Sequence, residues 1–203
     1  MAKRTHPGSA ERGLNRNQGG VRIIAGEWRG RRIPVATAAA VRPTPDRVRE
    51  TLFNWLMPTL AGSHCLDLFA GSGVLGWEAL SRGAASVSFV EHDRRAVLAL
   101  QAQQQAFATA HADIICSQAE TYLQGTPRAF DLVFLDPPYA TPLEPWLQRL
   151  WPTWLAPAGR IYVERDSERA LDALAGLGRL SRRSRAGGVH YGLLERGLEP
   201  EGC

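Results

Sequence analysis

Two short stretches carry residues whose types and spacing could do chemistry. The first runs Cys65-Leu66-Asp67-Leu68-Phe69-Ala70-Gly71-Ser72-Gly73-Val74-Leu75-Gly76, an apolar run that ends in glycines and opens a helical pattern. Gly71 and Gly73 allow a tight turn and let backbone approach a ligand with no side chain between them. As bare glycines, Gly71, Gly73 and Gly76 match a dinucleotide fingerprint, with Glu91 at a suitable distance to hold ribose hydroxyls. Asp67 argues for a different ligand. A carboxylate ahead of the glycines repels a pyrophosphate and welcomes the ammonium of an amino-acid moiety. A carboxylate for an amino group, glycines for close approach and a second carboxylate for a ribose together describe a pocket for S-adenosylmethionine.

The second stretch is Phe130-Asp131-Leu132-Val133-Phe134-Leu135-Asp136-Pro137-Pro138-Tyr139, about 65 residues after the glycines. Its two prolines fix the backbone and remove two N–H donors, so acceptors are expected to line the site. Acceptors are what methylation of an exocyclic base amine requires, because the amine's lone pair is delocalised into the ring. Hydrogen bonds from its protons to the Asp136 carboxylate and the Pro137 carbonyl favour a pyramidal nitrogen in the transition state. Tyr139 is suited to stack on a flipped-out base.

These stretches need a scaffold that brings them together. From residue 64 the pattern alternates, with strands expected at 64–69, 87–91, 113–116, 131–135 and 160–164, and helices at 73–83, 93–107, 144–156 and 167–175. Short apolar runs alternating with helical periods imply a parallel sheet covered on both faces. The chain then finishes as strand, Ala186-Gly187-Gly188 turn and strand, an antiparallel hairpin. Thr44 as N-cap, Pro45 at the first helical position and Asp46 in the first turn predict another helix, with Val48, Leu52, Trp55 and Leu56 on its core face.

Ahead of that helix lie a loop and a hairpin, Val21 to Ala25 and Arg31 to Val35 around Gly26-Glu27-Trp28-Arg29-Gly30. Residues 1–50 carry 11 basic against 4 acidic side chains, and the remainder 13 against 16. A basic N-terminal quarter suits a polyanion, nucleic acid foremost, with a solvated tail as the simpler alternative. Arg22, Arg29, Arg31, Arg32 and Arg42 could pair phosphates, and Trp28 at the tip could stack on an unpaired base or pack back on the domain. Residues 1–20, with almost nothing to bury, are expected to be disordered. Of the 24 basic residues 23 are arginine, which we ascribe to genome composition rather than to phosphate recognition.

Several classes are set aside. No apolar run approaches the roughly 20 residues of a membrane-spanning helix, and the N-terminus has no apolar segment of a secretory signal. Cys65, Cys116 and Cys203 match neither a metal spacing nor a disulfide framework. A cytoplasmic, metal-independent protein is expected. His64, His111 and His190 stand alone and are assigned structural or surface roles, Trp146, Trp151 and Trp154 packing roles. Arg182, Arg183 and Arg185 could touch RNA or line a solvated strand.

The pair Asp67 to Gly73 and Asp136 to Tyr139 resembles the class I amino-methyltransferases. Together with Arg42-Pro43-Thr44, Arg49-Glu50-Thr51-Leu52-Phe53-Asn54, Glu91-His92-Asp93-Arg94-Arg95 and the Ile23 to Arg31 hairpin, the chain resembles the RsmD family of bacterial 16S ribosomal RNA guanine-N2 methyltransferases over residues 21–196. The resemblance implies a Rossmann-like α/β domain at 44–198, a mostly parallel seven-stranded sheet ending in an antiparallel hairpin, with the small hairpin and loop at 21–43 ahead of it. It implies Asp67, Phe69, Gly71 and Gly73 at the methionine end of the cofactor, Glu91 on its ribose and His92 near the adenine. Asp136, Pro137, Pro138 and Tyr139 would hold the guanine amine. The adenine amine falls to Gln118 with Ala119, or to Glu120, because Ser117-Gln118-Ala119-Glu120 departs from the wider pattern. The implied partner is the assembled or assembling 30S particle, bound by a monomer. Two alternatives stay open: an adenine-N6 methyltransferase, and a non-catalytic RNA-binding assembly factor.

Overall fold

The structure is a computed structural model that describes residues 20–34 and 44–197. The expectations for residues 1–19, for the loop that holds Arg42 and for residues 198–203 lie outside the described residues. A hairpin of β1 (Gly20–Arg22) and β2 (Arg32–Pro34) precedes helix α1 (Asp46–Leu60). Then follow β3 (His64–Asp67), α2 (Val74–Ser81), β4 (Ser86–Glu91), α3 (Arg94–Phe107) and β5 (Ala112–Cys116). A single-turn helix α4 (Ala119–Tyr122) leads to β6 (Phe130–Leu135), α5 (Glu144–Thr153) and the long β7 (Leu155–Arg165). The chain closes with α6 (Glu168–Asp172), a 3-10 turn, β8 (Arg179–Ala186) and β9 (Val189–Glu195). Among the described residues no helix is long and apolar enough to cross a membrane.

Seven strands form one sheet in the order β5-β4-β3-β6-β7-β9-β8. The first five are parallel and β9 and β8 add antiparallel, as the terminal glycine turn predicted. The chain winds outward from β3 to β5, then returns to lay β6 on the opposite side of β3. Neighbouring crossovers therefore leave β3 and β6 in opposite directions, which opens a crevice at their carboxyl ends.

Alternation along the strands divides the core in two. Cys65, Phe89, Leu132, Phe134, Tyr162 and Leu193 pack with α1, α2, α3 and the N-terminal hairpin on one face. Leu66, Val133, Leu135, Ile161 and Val163 pack with α5 and α6 on the other. The arrangement explains why these strands read as nearly continuous apolar runs: both faces are covered.

Helix α1 differs from expectation at its start. Thr44 is buried and makes no N-cap bond; Pro45 occupies the cap position and Asp46 opens the helix. Thr44 instead lies beside the Glu164 carboxylate at the end of β7. Helix α4 was not foreseen, because four residues are too few to show a period.

Candidate active site

Strand β3 delivers Asp67 to the crevice, and the chain then turns through Leu68 to Gly73 into α2. Leu68 N–H donates to the Phe134 carbonyl (3.1 Å) and Ala70 N–H to that of Val90 (3.0 Å), which ties the loop to both neighbouring strands. The glycines have different reasons for being glycine. Gly71 has φ +53° and no atom within 4 Å of the place a Cβ would take, so its outer side is open to a ligand. Gly73 is also left-handed, but a Cβ there would meet Leu100 at 2.6 Å and Trp77 at 2.8 Å, and one on Gly76 would meet the Phe89 ring at 2.2 Å. Gly71 has room beside it for a ligand, and Gly73 and Gly76 are in addition held to glycine by the packing of α2 against α3 and β4.

The acids ahead of and beyond the loop are also placed by backbone donors. Glu91, at the end of β4, accepts from Gly71 N–H (2.8 Å) and from Asp93 N–H (2.7 Å), with His92 Nδ1 at 3.2 Å. Asp67 is buried and accepts from Gly76 N–H at 3.2 Å. Burial raises its carboxyl to about 7; the Gly76 bond lowers it and the Glu91 charge raises it further. A buried carboxylate at such a value is poised to bind a cation. Phe69 stands edge-on to Trp146 with ring centroids 5.2 Å apart, so this tryptophan braces the glycine loop against α5. Gln118 is exposed just past β5, Ala119 is buried beside it, and Ser117 N–H bonds to the Glu91 carbonyl (3.0 Å). The Gln118 turn thus lies beside the ribose-side acid, as does exposed His92.

Strand β6 delivers Asp136-Pro137-Pro138-Tyr139 to the same crevice, one strand from Asp67. Pro137 is buried, while Tyr139 is 41% exposed, one of three large apolar side chains left open to solvent among the described residues. The Pro138 carbonyl accepts from Thr141 N–H (2.7 Å), which closes the turn. The Asp136 carboxylate takes no hydrogen bond from any described residue. Burial, and the charges of Glu164 and Asp67, push it well above the usual carboxylate range, against the pull of Arg165.

Three residues here escaped the sequence reading: Tyr162, Glu164 and Arg165. Tyr162 OH donates to Glu164 (2.8 Å). Buried Arg165 donates from Nη1 to the carbonyls of Tyr139 (3.2 Å) and Thr141 (3.1 Å) and so clamps the catalytic turn. A charged pair ending the apolar run Ile161-Tyr162-Val163 was the available signal. Among the described residues no group of three His, Cys, Asp or Glu is arranged to hold a metal ion.

The N-terminal hairpin is seated firmly on the domain. The fully buried Glu78 carboxylate accepts from Ile24 N–H (2.8 Å), Ala25 N–H (3.0 Å), Arg49 (3.1 Å) and Arg82 (2.7 Å). Trp28 corrects the picture of an exposed tip. It is 6% exposed and stacks on Phe107 at 4.2 Å and 7°, with Trp77 edge-on, so it is core and cannot stack on a base as it stands. Arg31 lies over Phe107 and bonds to the Ala106 carbonyl. Arg22, Arg29 and Arg32 are exposed, with Arg32 also bonded to the Gly20 carbonyl (3.0 Å).

Comparisons with known proteins converge on one family. The family model described as Conserved hypothetical protein 95 matches residues 21–195. The chain is 42% identical over 205 residues to Ribosomal RNA small subunit methyltransferase D of Escherichia coli K12, covering 99% of this chain and 98% of that protein. It is 47% identical over 161 residues to the protein of the same name from Haemophilus influenzae, covering 76% and 83%. The solved structure of yhhF from Escherichia coli superposes with a TM-score of 0.79 at 40% identity, over 89% of this chain and all of that one.

Proposed function

The chain belongs to the Conserved hypothetical protein 95 family, the RsmD methyltransferases, and from that premise we infer that it methylates small-subunit ribosomal RNA with S-adenosylmethionine. We extend the inference to the exocyclic N2 amine of a guanine, presented on the assembled or assembling subunit to a monomeric cytoplasmic enzyme. The observation that carries it is the meeting of two loops, from neighbouring strands β3 and β6, at the crevice where the sheet reverses its winding.

The residues present fit the cofactor. Open backbone at Gly71, two acids held by backbone N–H groups and exposed side chains at His92 and Gln118 give a cationic amino-acid end, a ribose and a base each a suitable contact. When bound, S-adenosylmethionine supplies a methyl group activated by sulfonium charge. The protein's own contribution is positioning and polarisation. Asp67 would take the amino-acid end and Glu91 the ribose. Asp136, with no donor among the described residues, keeps its acceptor capacity for the amine protons, and the Pro137 carbonyl adds a second acceptor. Exposed Tyr139 offers the face on which an extruded base stacks, while Arg165 holds the turn's geometry.

On the RNA side, Arg22, Arg29 and Arg32 would meet phosphates near the target. Trp28 has no part in that contact except to fix the hairpin they stand on.

The test is incubation of the purified protein with methyl-labelled cofactor and small subunits lacking the modification, followed by mapping of the labelled nucleotide. Label on the N2 of one guanine is expected. Label on an adenine, or on transfer RNA alone, would overturn the assignment.

A further inference from the structure

Three carboxylates share one face of three adjacent strands, Asp67 one pleat behind the other two. Asp67 ends β3, where it pairs in register with Phe134 of β6. Phe134 pairs with Tyr162 and Leu135 with Val163, so the next step places Asp136 level with Glu164. Neighbouring parallel strands lie about 4.8 Å apart, and Asp136 and Glu164 follow by two residues the Phe134–Tyr162 pair, whose rings share one face at 6.3 Å.

The two acids are unequally supported. Glu164 receives an O–H donor from Tyr162, whereas Asp136 receives none from any described residue. The nearest cation, Arg165, spends its described hydrogen bonds on the carbonyls of Tyr139 and Thr141. The other groups around Asp136 are Asp67 from β3, Tyr139 of its own turn and Tyr162 from β7, with Asp166 and Glu144 beyond Arg165 and Tyr191 beyond Tyr162. None of these besides Arg165 is cationic. Two carboxylates on adjacent strand ends, Glu164 buried and Asp136 half-buried, do not both ionise cheaply.

On the methyltransferase reading above, we propose that Glu164 is a positioning residue acting through Asp136: the pair shares one proton in the free protein and sheds it when a cation is seated before Asp136. Burial raises the Glu164 carboxyl too, but the Tyr162 donor lowers it, and this donor decides which partner carries that proton, leaving Glu164 the anion and Asp136 the acid. Burial and the Glu164 charge raise the Asp136 carboxyl in the same sense.

The chemistry then closes. Asp136 enters the transfer as an anion. The amine nitrogen's lone pair forms the bond to the methyl carbon as the C–S electrons return to sulfur, and the surplus N–H proton passes to Asp136. The pocket ends with a neutral acid facing a neutral thioether, the protonation of the free protein. Glu164 thereby favours the charged donor over the spent product at each turnover.

The test is calorimetry of S-adenosylmethionine and S-adenosylhomocysteine binding in buffers of different ionisation enthalpy, across pH 6 to 9. The two ligands share the amino-acid end that faces Asp67, so its proton exchange cancels in their ratio. More protons, up to about one, are expected to leave with the sulfonium ligand than with the thioether, and the affinity ratio to rise by up to about tenfold per pH unit before levelling. Glu164→Gln is expected to abolish that difference and move the acid limb of the kcat profile to lower pH. The wild-type affinity ratio stands by itself if that variant fails to fold. Binding of both ligands with equal proton counts overturns this proposal alone, as does an unchanged difference in folded Glu164→Gln. Binding of neither ligand to folded protein overturns the methyltransferase reading and this proposal with it.

Discussion

The carboxyl ends of β3 and β4 and those of β6 and β7 form two halves of one crevice, and they are built on opposite plans. On the β3–β4 side each acid is supported by the backbone: Asp67 by Gly76 N–H, Glu91 by Gly71 and Asp93 N–H. On the β6–β7 side Asp136 has no donor among the described residues, while its neighbour Glu164 has the Tyr162 hydroxyl and Arg165 serves the loop rather than the acid. Backbone support fixes a shape in advance and suits a ligand bound the same way in every cycle. An unsupported carboxylate is costly at rest, and its charge is satisfied only by what enters. The lesson is a division between a half preorganised for binding and a half left reactive.

Variants can break that division at each side. The largest effect is expected from Asp136→Ala: kcat falls by about 10³-fold or more, the scale of a lost general-base or preorganised charge, while cofactor affinity by calorimetry stays within about tenfold. Equal losses in both would erase the distinction between the halves. Glu91→Ala should do the reverse, weakening cofactor binding about 10- to 100-fold, the worth of charge-assisted hydrogen bonds. At saturating cofactor most of kcat should return.

Asp67→Asn sharpens the comparison through stability. Its carboxyl stands near 7 in the folded chain against 3.8 for the free group, so the folded state holds the proton more tightly. Wild-type stability therefore falls as pH rises between these values, where the unfolded chain ionises and the folded one does not. The Asn variant lacks this loss. Its Tm should exceed the wild-type value increasingly from pH 4 to pH 7, by about 2–4 °C for each kcal/mol recovered, while its cofactor affinity drops. The smallest effect is expected from Arg29→Ala. Its removal should lower the salt dependence of RNA binding by about one ion and leave kcat at saturating RNA unchanged.

The N-terminal hairpin shows where a local pattern misleads. Glycines on either side of Trp28 suggested an exposed tip, and they do make the turn. The ring points inward because Phe107 and Trp77, from α3 and α2, offer a flat slot. Burial of a large aromatic stabilises by about 1.5–3 kcal/mol, and nothing in residues 21–35 announces that slot.

What the sequence by itself determined is what short-range physics controls. The alternation of apolar runs and helical periods set the strand and helix order. Glycine turns set the terminal hairpin, and two loop motifs at strand ends named Asp67, Glu91 and Asp136 to Tyr139. What only the tertiary structure decided are relations between strands distant along the chain. That Glu164 lies level with Asp136, and that Gly73 is pressed by neighbouring side chains while Gly71 faces open space, both depend on register and helix packing. Register is a sum over many weak cross-strand contacts, so no single stretch of sequence encodes it.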